Sequence, residues 1–312
     1  MISCTEFIPS YSELFSYLEE HYGRAEVDAF WKYLFVPDGK GIPLISFVEK
    51  EGIRGCWSYW AGTLNEEAAD FTMWLNEKRG FYYNVMRKCP SKGRLLQLKD
   101  EIGITPYHDY CLHCDSYRSA VEKVGLKYIY NFDGIDEAAC SMLIYDPKVF
   151  DGRVIIDEDT LVMDRKASDN EYFHRDFHSS MNMGIHYLGE KYGIDDVRAY
   201  LTRYTENVYQ QTIAQLQQQG LAALEDKIRD TYEKEKALDV LTLTRTEESL
   251  TVQIAECPAV KHLHATGREV SPWYRYTTEV VMEVLAEKGG FRFDMVSYDE
   301  ATGAAQYRFT KE

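Results

Sequence analysis

The chain has 312 residues, a formal net charge of −16 and 45% hydrophobic residues, the profile of a globular protein long enough for two ordinary domains. An acidic balance with no clustered Lys and Arg argues against a nucleic-acid partner. No apolar stretch is long enough to span a bilayer, and the opening Met1-Ile2-Ser3-Cys4-Thr5-Glu6 lacks the basic and apolar regions of a secretory signal. Seven scattered cysteines then point to reduced thiols in the cytoplasm.

Taken in order, Ser10 is placed to cap a first helix, Tyr11 to His21, that stops at Gly23. A second amphipathic stretch, Glu26 to Val36, buries Val27, Phe30, Trp31 and Leu34 before Pro37-Asp38-Gly39 breaks it. Helices are expected over Pro43 to Glu51 and Trp57 to Glu67. From Met73 the period changes to two: Met73 and Leu75, then Tyr82, Asn84 and Met86, alternate across Lys78-Arg79-Gly80 as a hairpin does. Cys89-Pro90 opens a predicted loop, and Thr105-Pro106 a predicted helix to about Val124, with Gly125 at its end. A second hairpin is expected from Leu126 to Phe132 and Ala138 to Tyr145, through Asp133-Gly134. In the charged connector Asp146 to Asn170, Val154-Ile155-Ile156 and Leu161-Val162-Met163 read as two short strands.

The second half echoes the first. Leu18, Tyr22, Gly23, Val27 and Phe30 recur as Leu188, Tyr192, Gly193, Val197 and Tyr200. The hairpin before Cys89-Pro90 matches Leu241, Leu243, Leu250, Val252 and Ile254 before Cys257-Pro258. Thr105-Pro106-Tyr107 matches Ser271-Pro272-Trp273, and Gly125-Leu126 matches Gly290-Phe291. The expected fold is therefore α+β, a tandem repeat of a unit with helices packed on a small antiparallel sheet. The expected boundaries are 1–146 for the first repeat, 147–168 for a connector and 169–312 for a second, degenerate repeat.

Four of the seven cysteines, Cys89, Cys111, Cys114 and Cys140, fall in one stretch of the first repeat. Cys111 and Cys114 are three apart on the predicted helix and face one side. Cys89 ends a strand and Cys140 lies in the closing hairpin, where both can approach that helix. Four thiolates form a structural zinc set, and three leave an open position. The alternative is four small buried hydrophobes: aligned on Pro106 and Pro272, Cys111 falls opposite Thr277 and Cys114 opposite Val280, where the second repeat simply packs a helix. A redox pair is disfavoured, because Asp109 and Asp115 raise nearby thiol pKa values.

Other candidates are weaker. His174 and His178, four apart, would share a metal if both lay on a helix, but Arg175 and Asp176 stand where a catalytic Glu is usual. His262 and His264 are expected to alternate on a strand after Cys257-Pro258, on an exposed sheet face or, as the alternative, lining a pocket with Cys257 and Trp273. Trp57, Tyr59, Trp60 and Trp74 are either pocket wall or core.

The segments Cys89-Pro90, Tyr110-Cys111-Leu112-His113-Cys114-Asp115 and Ala139-Cys140-Ser141-Met142 resemble the L-2-amino-thiazoline-4-carboxylic acid hydrolase family. More distantly, they resemble the small-molecule-binding domain associated with 4-vinyl reductases and aromatic-sensing regulators, some of which hold zinc beside the ligand pocket. The resemblance runs from about Tyr11 to Tyr145, and in weaker form from about Asp169 to Phe309. It implies that Cys89, Cys111 or Cys114, Asp115 and Cys140 form the family's polar cluster. Ser141 and Met142 depart from the acidic and aromatic residues usual there, and the second repeat keeps Cys257 but has Thr277, Val280 and Ala305 near the other thiol positions.

Two functions follow as expectations. One is a hydrolase for a C–N or C–S bond of a small heterocyclic or amino-acid-like carboxylate. Cys114, Asp115 and His113 would be its catalytic groups, and Arg87, Arg118, Trp57 and Trp60 its substrate contacts. Cys89, Cys111, Cys114 and Cys140 would be its metal ligands, with zinc the cofactor if there is one. The other is a non-catalytic sensor or carrier of a small molecule, with structural zinc or simply packed cysteines. The expected partners are a small molecule and, as one arrangement, a second copy of the chain in a homodimer.

Overall fold

The computed structural model describes residues 1–35 and 43–311; the break expected at Pro37-Asp38-Gly39 lies outside the described residues. The chain divides into two compact units. The first comprises Leu18–Glu101 and Thr105–His174; the second comprises Met1–Tyr17, Ile102–Ile104 and the chain from Arg175 onward. The opening residues therefore group with the second half, and 147–168 with the first.

In chain order the first half runs α1 (Phe7–Tyr22), α2 (Arg24–Leu34), α3 (Leu44–Glu51), α4 (Arg54–Glu66), β1 (Asp70–Asn76), β2 (Phe81–Lys88) and α5 (Pro90–Ile102). A 3-10 turn (Tyr110–Ser116), α6 (Tyr117–Lys123), β3 (Lys127–Asn131), β4 (Cys140–Tyr145) and β5 (Leu161–Arg165) follow. The second half runs α7 (Phe177–Tyr192), α8 (Ile194–Val208), α9 (Gln210–Gln219), α10 (Leu221–Lys234), β6 (Leu241–Arg245) and β7 (Ser249–Ile254). It closes with α11 (Pro258–Ala265), α12 (Tyr276–Gly289), β8 (Phe291–Tyr298) and β9 (Ala305–Lys311). The chain is α+β. Its two antiparallel sheets are ordered β3-β4-β2-β1-β5 and β6-β7-β9-β8, so the first four strands of one sheet have the same order as the other sheet read backwards.

Several local expectations change. Pro90 starts α5 where a loop was expected, since a proline suits the first helical position. The helix expected over 105–124 is instead a 3-10 turn and the short α6. His113 Nδ1 bonds the Tyr110 carbonyl, an acceptor that an α-helical ladder would need for itself. Ser10 lies inside α1, and Ser3 caps the chain instead, in a reciprocal capping box with Glu6. Of the two strands expected in the connector only β5 forms, antiparallel to β1. His262 and His264 sit on α11, not on a strand, and residues two apart on a helix do not face each other. Trp273 packs its ring where a Cβ on Gly189 would lie, so it belongs to the packing around α7.

The first core forms where the period of two meets helical faces. Phe71, Met73 and Leu75 of β1, and Tyr82, Asn84 and Met86 of β2, all point inward and are buried. Trp60 of α4 is 4% exposed and stacks on Tyr82, ring centroids 5.4 Å apart and 12° from parallel. Trp57 is only partly buried against the same core. In the second unit α10 and α12 contact the sheet, burying Leu224, Ile228, Val281 and Leu285, while the sheet buries Leu250, Val252, Tyr307 and Phe309.

Truncation of Trp60 to Ala is expected to cost about 3–5 kcal/mol, the usual range for an aromatic removed from a core. Trp57→Ala is expected to cost well under that, and urea unfolding of both variants checks the ranking.

Candidate functional site

Three elements and one loop bring the four cysteines together. Cys89 follows β2, and its N–H donates to the Ala138 carbonyl at 2.6 Å. Cys140 opens β4, opposite Met86 of β2. Cys111 and Cys114 lie on the 3-10 turn, in which residues three apart eclipse one another. Ala138 takes a φ of 60°, a left-handed conformation that a residue with a Cβ adopts only under constraint.

All four thiols line one cavity of ≈ 40 Å³, with Lys92, His113 and Tyr130 also on its wall. That space suits a water molecule or two and is far below the size of an ordinary ligand pocket. A second, open groove of ≈ 420 Å³ adjoins it, sharing Ala139 and Cys140 and bordered by Tyr83, Arg87, Asn131 and Ser141.

Inside the cavity His113 Nε2 lies 3.6 Å from Cys114 Sγ. His113 Nδ1 bonds the Tyr110 carbonyl. A carbonyl only accepts, so Nδ1 carries the proton and Nε2 presents a lone pair to the thiol. The Tyr130 hydroxyl donates to Cys140 Sγ at 3.1 Å and also favours the Cys114 thiolate. The Tyr128 hydroxyl donates to the Cys114 carbonyl at 3.0 Å.

The surroundings hold these groups neutral. Desolvation pushes Cys111 up to about 12, with the charge of Cys114 adding to it. Desolvation likewise lifts Cys114 to about 12, against the Tyr130 hydrogen bond and with the Glu67 and Asp115 charges. Cys140 rises to about 11 and Cys89 well above its ordinary value, both chiefly through desolvation. Burial lowers His113 to about 4, against the pull of its backbone hydrogen bond and of Glu67. The Glu67 carboxyl is itself raised by desolvation, although His174 and His113 pull it the other way.

The remaining expected residues are placed elsewhere. Asp115 pairs with Arg118 at 2.7 Å, its side chain 42% exposed. Arg118 also donates to the Tyr128 carbonyl at 2.5 Å. Arg87 borders the open groove, but its guanidinium is held by Asp70, Thr72, Asp164 and the carbonyls of Phe71 and Arg165, so it ties β5 to the sheet. Trp60 is core and Trp57 packs beside it. His174 precedes α7 and bonds Glu66, while His178 lies within α7, so the two imidazoles do not share a helix face.

Four thiols suit zinc chemically, but tetrahedral zinc with Zn–S near 2.3 Å draws its sulfurs to about 3.8 Å of one another. Among the described residues, the group of three metal-ligating side chains with all ligand atoms within 4.8 Å is Cys4, His178 and Glu235. No three thiols of the cavity meet that spacing.

No family model, curated protein or solved structure matches the chain. What the site can do follows from its own chemistry.

Reading the sequence missed Glu67, Tyr130 and Lys92. Glu67 had a signal: it caps α4 ahead of Ala68 (φ 53°) and Ala69, as Glu235 caps α10 ahead of Lys236 (φ 55°) and Ala237. Tyr130 and Lys92 had none, because only the fold turns them towards the thiols.

Thiols at about 11 to 12 are expected to alkylate at least about 100-fold more slowly at pH 8 than in the unfolded chain. Because these pKa values are raised by folding, the stability they contribute is complete below about pH 9 and is lost as pH rises towards 11 to 12. Iodoacetamide rates against pH, with mass mapping of Cys111, Cys114 and Cys140, check this.

Proposed function

We propose that the first unit is a thiol-dependent hydrolase for a C–N or C–S bond of a small heterocyclic or amino-acid-like carboxylate. The observation that carries this reading is the Cys114–His113 pair: a thiol 3.6 Å from an imidazole nitrogen whose other nitrogen is fixed by the Tyr110 carbonyl. A nucleophile, a base and a group that orients the base are what covalent catalysis requires. The resemblance of the cysteine segments to thiazoline-carboxylate hydrolases suggests the substrate class.

The chemistry balances with water as the only co-reactant. Cys114 Sγ adds to the electrophilic carbon of the substrate's C=N or C=O group, and the S–H proton passes to His113 Nε2. Because both groups are held neutral, that transfer accompanies S–C bond formation instead of preceding it. The leaving nitrogen or sulfur departs with the proton. Water, deprotonated by His113, then displaces Cys114 and restores the thiol. The ≈ 40 Å³ cavity admits only the reacting centre, and the adjoining ≈ 420 Å³ groove is large enough for the rest of a small substrate.

Turnover of thiazoline and related heterocyclic carboxylates, followed by mass spectrometry, tests the proposal. Cys114→Ala and His113→Asn are each expected to lower kcat at least about 100-fold in a folded protein. Asp115→Asn, altered at an exposed ion pair, is expected to stay within about threefold. Equal activity of Cys114→Ala and the parent chain, or no turnover of any such compound by the parent, would remove the reading.

A further inference from the structure

The second unit buries a ligand set of a different kind. Cys4 opens the short turn ahead of α1, His178 lies in the first turn of α7, and Glu235 caps the end of α10. They are 0%, 0% and 2% exposed. One ligand atom from each lies within 4.8 Å of the other two.

Every contact within the group suits a metal centre. Glu235 Oε2 is 3.0 Å from His178 Nε2. Tetrahedral zinc holds a nitrogen and an oxygen ligand about 3.3 Å apart, and a nitrogen and a sulfur about 3.6 Å apart, so this pair needs only a small outward shift. The other carboxylate oxygen, Oε1, accepts the Cys4 backbone N–H at 2.6 Å, which fixes the carboxylate. His178 Nδ1 faces the Tyr274 hydroxyl at 3.3 Å. A ligating imidazole is normally oriented through such a partner on its second nitrogen.

A hydrogen-bonded His–Glu pair would account for two of the three groups. It leaves unused the third group, a thiol whose sulfur lies within 4.8 Å of both the imidazole nitrogen and the carboxylate oxygen. A divalent cation would use all three, because a thiolate, a carboxylate and a neutral imidazole sum with it to zero charge. Sulfur, nitrogen and oxygen in one set select zinc over magnesium or calcium, which prefer all-oxygen sites.

We propose that Cys4 Sγ, His178 Nε2 and Glu235 Oε2 bind one zinc ion in the second unit, a site separate from the thiol cavity and independent of the hydrolase reading. Three protein ligands leave the fourth tetrahedral position to water. Binding releases the Cys4 thiol proton to solvent. Full burial means that the ion enters as the chain folds or through local opening, so exchange is slow.

The test uses the full chain carrying Cys111→Ser and Cys114→Ser, which removes two of the four thiols of the other cavity. After chelator stripping and refolding with zinc, one equivalent is expected per chain, with a zinc-edge absorption spectrum of one sulfur and otherwise nitrogen or oxygen neighbours. Adding Cys4→Ser is expected to remove the sulfur neighbour and weaken binding at least about 100-fold, more than loss of a supporting partner costs. A folded protein that takes up no zinc, or uptake and sulfur coordination unchanged by Cys4→Ser, overturns the site. If the combined variant does not fold, the same spectrum is recorded on the zinc-loaded parent chain, where a one-sulfur shell supports the site, and a shell of two or more sulfurs or of none overturns it.

Discussion

Antiparallel pairing of β2 with β4 is the constraint on which the thiol cavity rests. Its register sets Met86 opposite Cys140, so the strand that ends at Cys89 delivers that residue beside the start of β4. Side chains alternate faces along a strand, and a slip of one residue would turn Cys140 to the opposite face. The buried Tyr82, Asn84 and Met86 hold the register, because each must stay on the side of the core. The backbone bond from Cys89 to Ala138 then closes the loop that carries Cys140.

The two units share an order of elements and part at the chemistry. In each, a helix ends on a glutamate that precedes a residue of positive φ and then the first strand of a sheet. Glu67 acts electrostatically on His113 and Cys114, while Glu235 is engaged with His178 and the Cys4 backbone. A glutamate at a helix end thus borders a thiol-rich cavity in one half and belongs to a mixed sulfur, nitrogen and oxygen set in the other. Cys89 and Cys257 also differ in their surroundings. The first lines the thiol cavity, whereas the second is buried with its thiol 3.4 Å from Met1 Sδ.

Desolvation sets the state of the thiol cavity more than any single charge does. It is the largest cause of every shift among the four thiols and His113, and it favours neutral forms of both acids and bases. A thiol kept protonated beside a neutral imidazole is protected from oxidation and stray alkylation, yet it needs only one proton transfer to become a nucleophile. The Tyr130 hydroxyl, donating to Cys140 and favouring the Cys114 thiolate, partly offsets that bias.

By itself the sequence determined the period-two strands Met73–Leu75 and Tyr82–Met86, the α+β class, and the placing of Cys111 and Cys114 three residues apart. These follow from local periodicity and from cysteine spacing, which short windows of chain contain. Only the tertiary structure decided that His113 reaches Cys114 while Asp115 turns out to Arg118, that Arg87 is spent on β5, and that Trp60 is core. It alone joined Cys4 to Glu235, 231 residues away. The direction a side chain takes depends on the turn type and the packing partner beneath it, and neither is written in the residue or its neighbours.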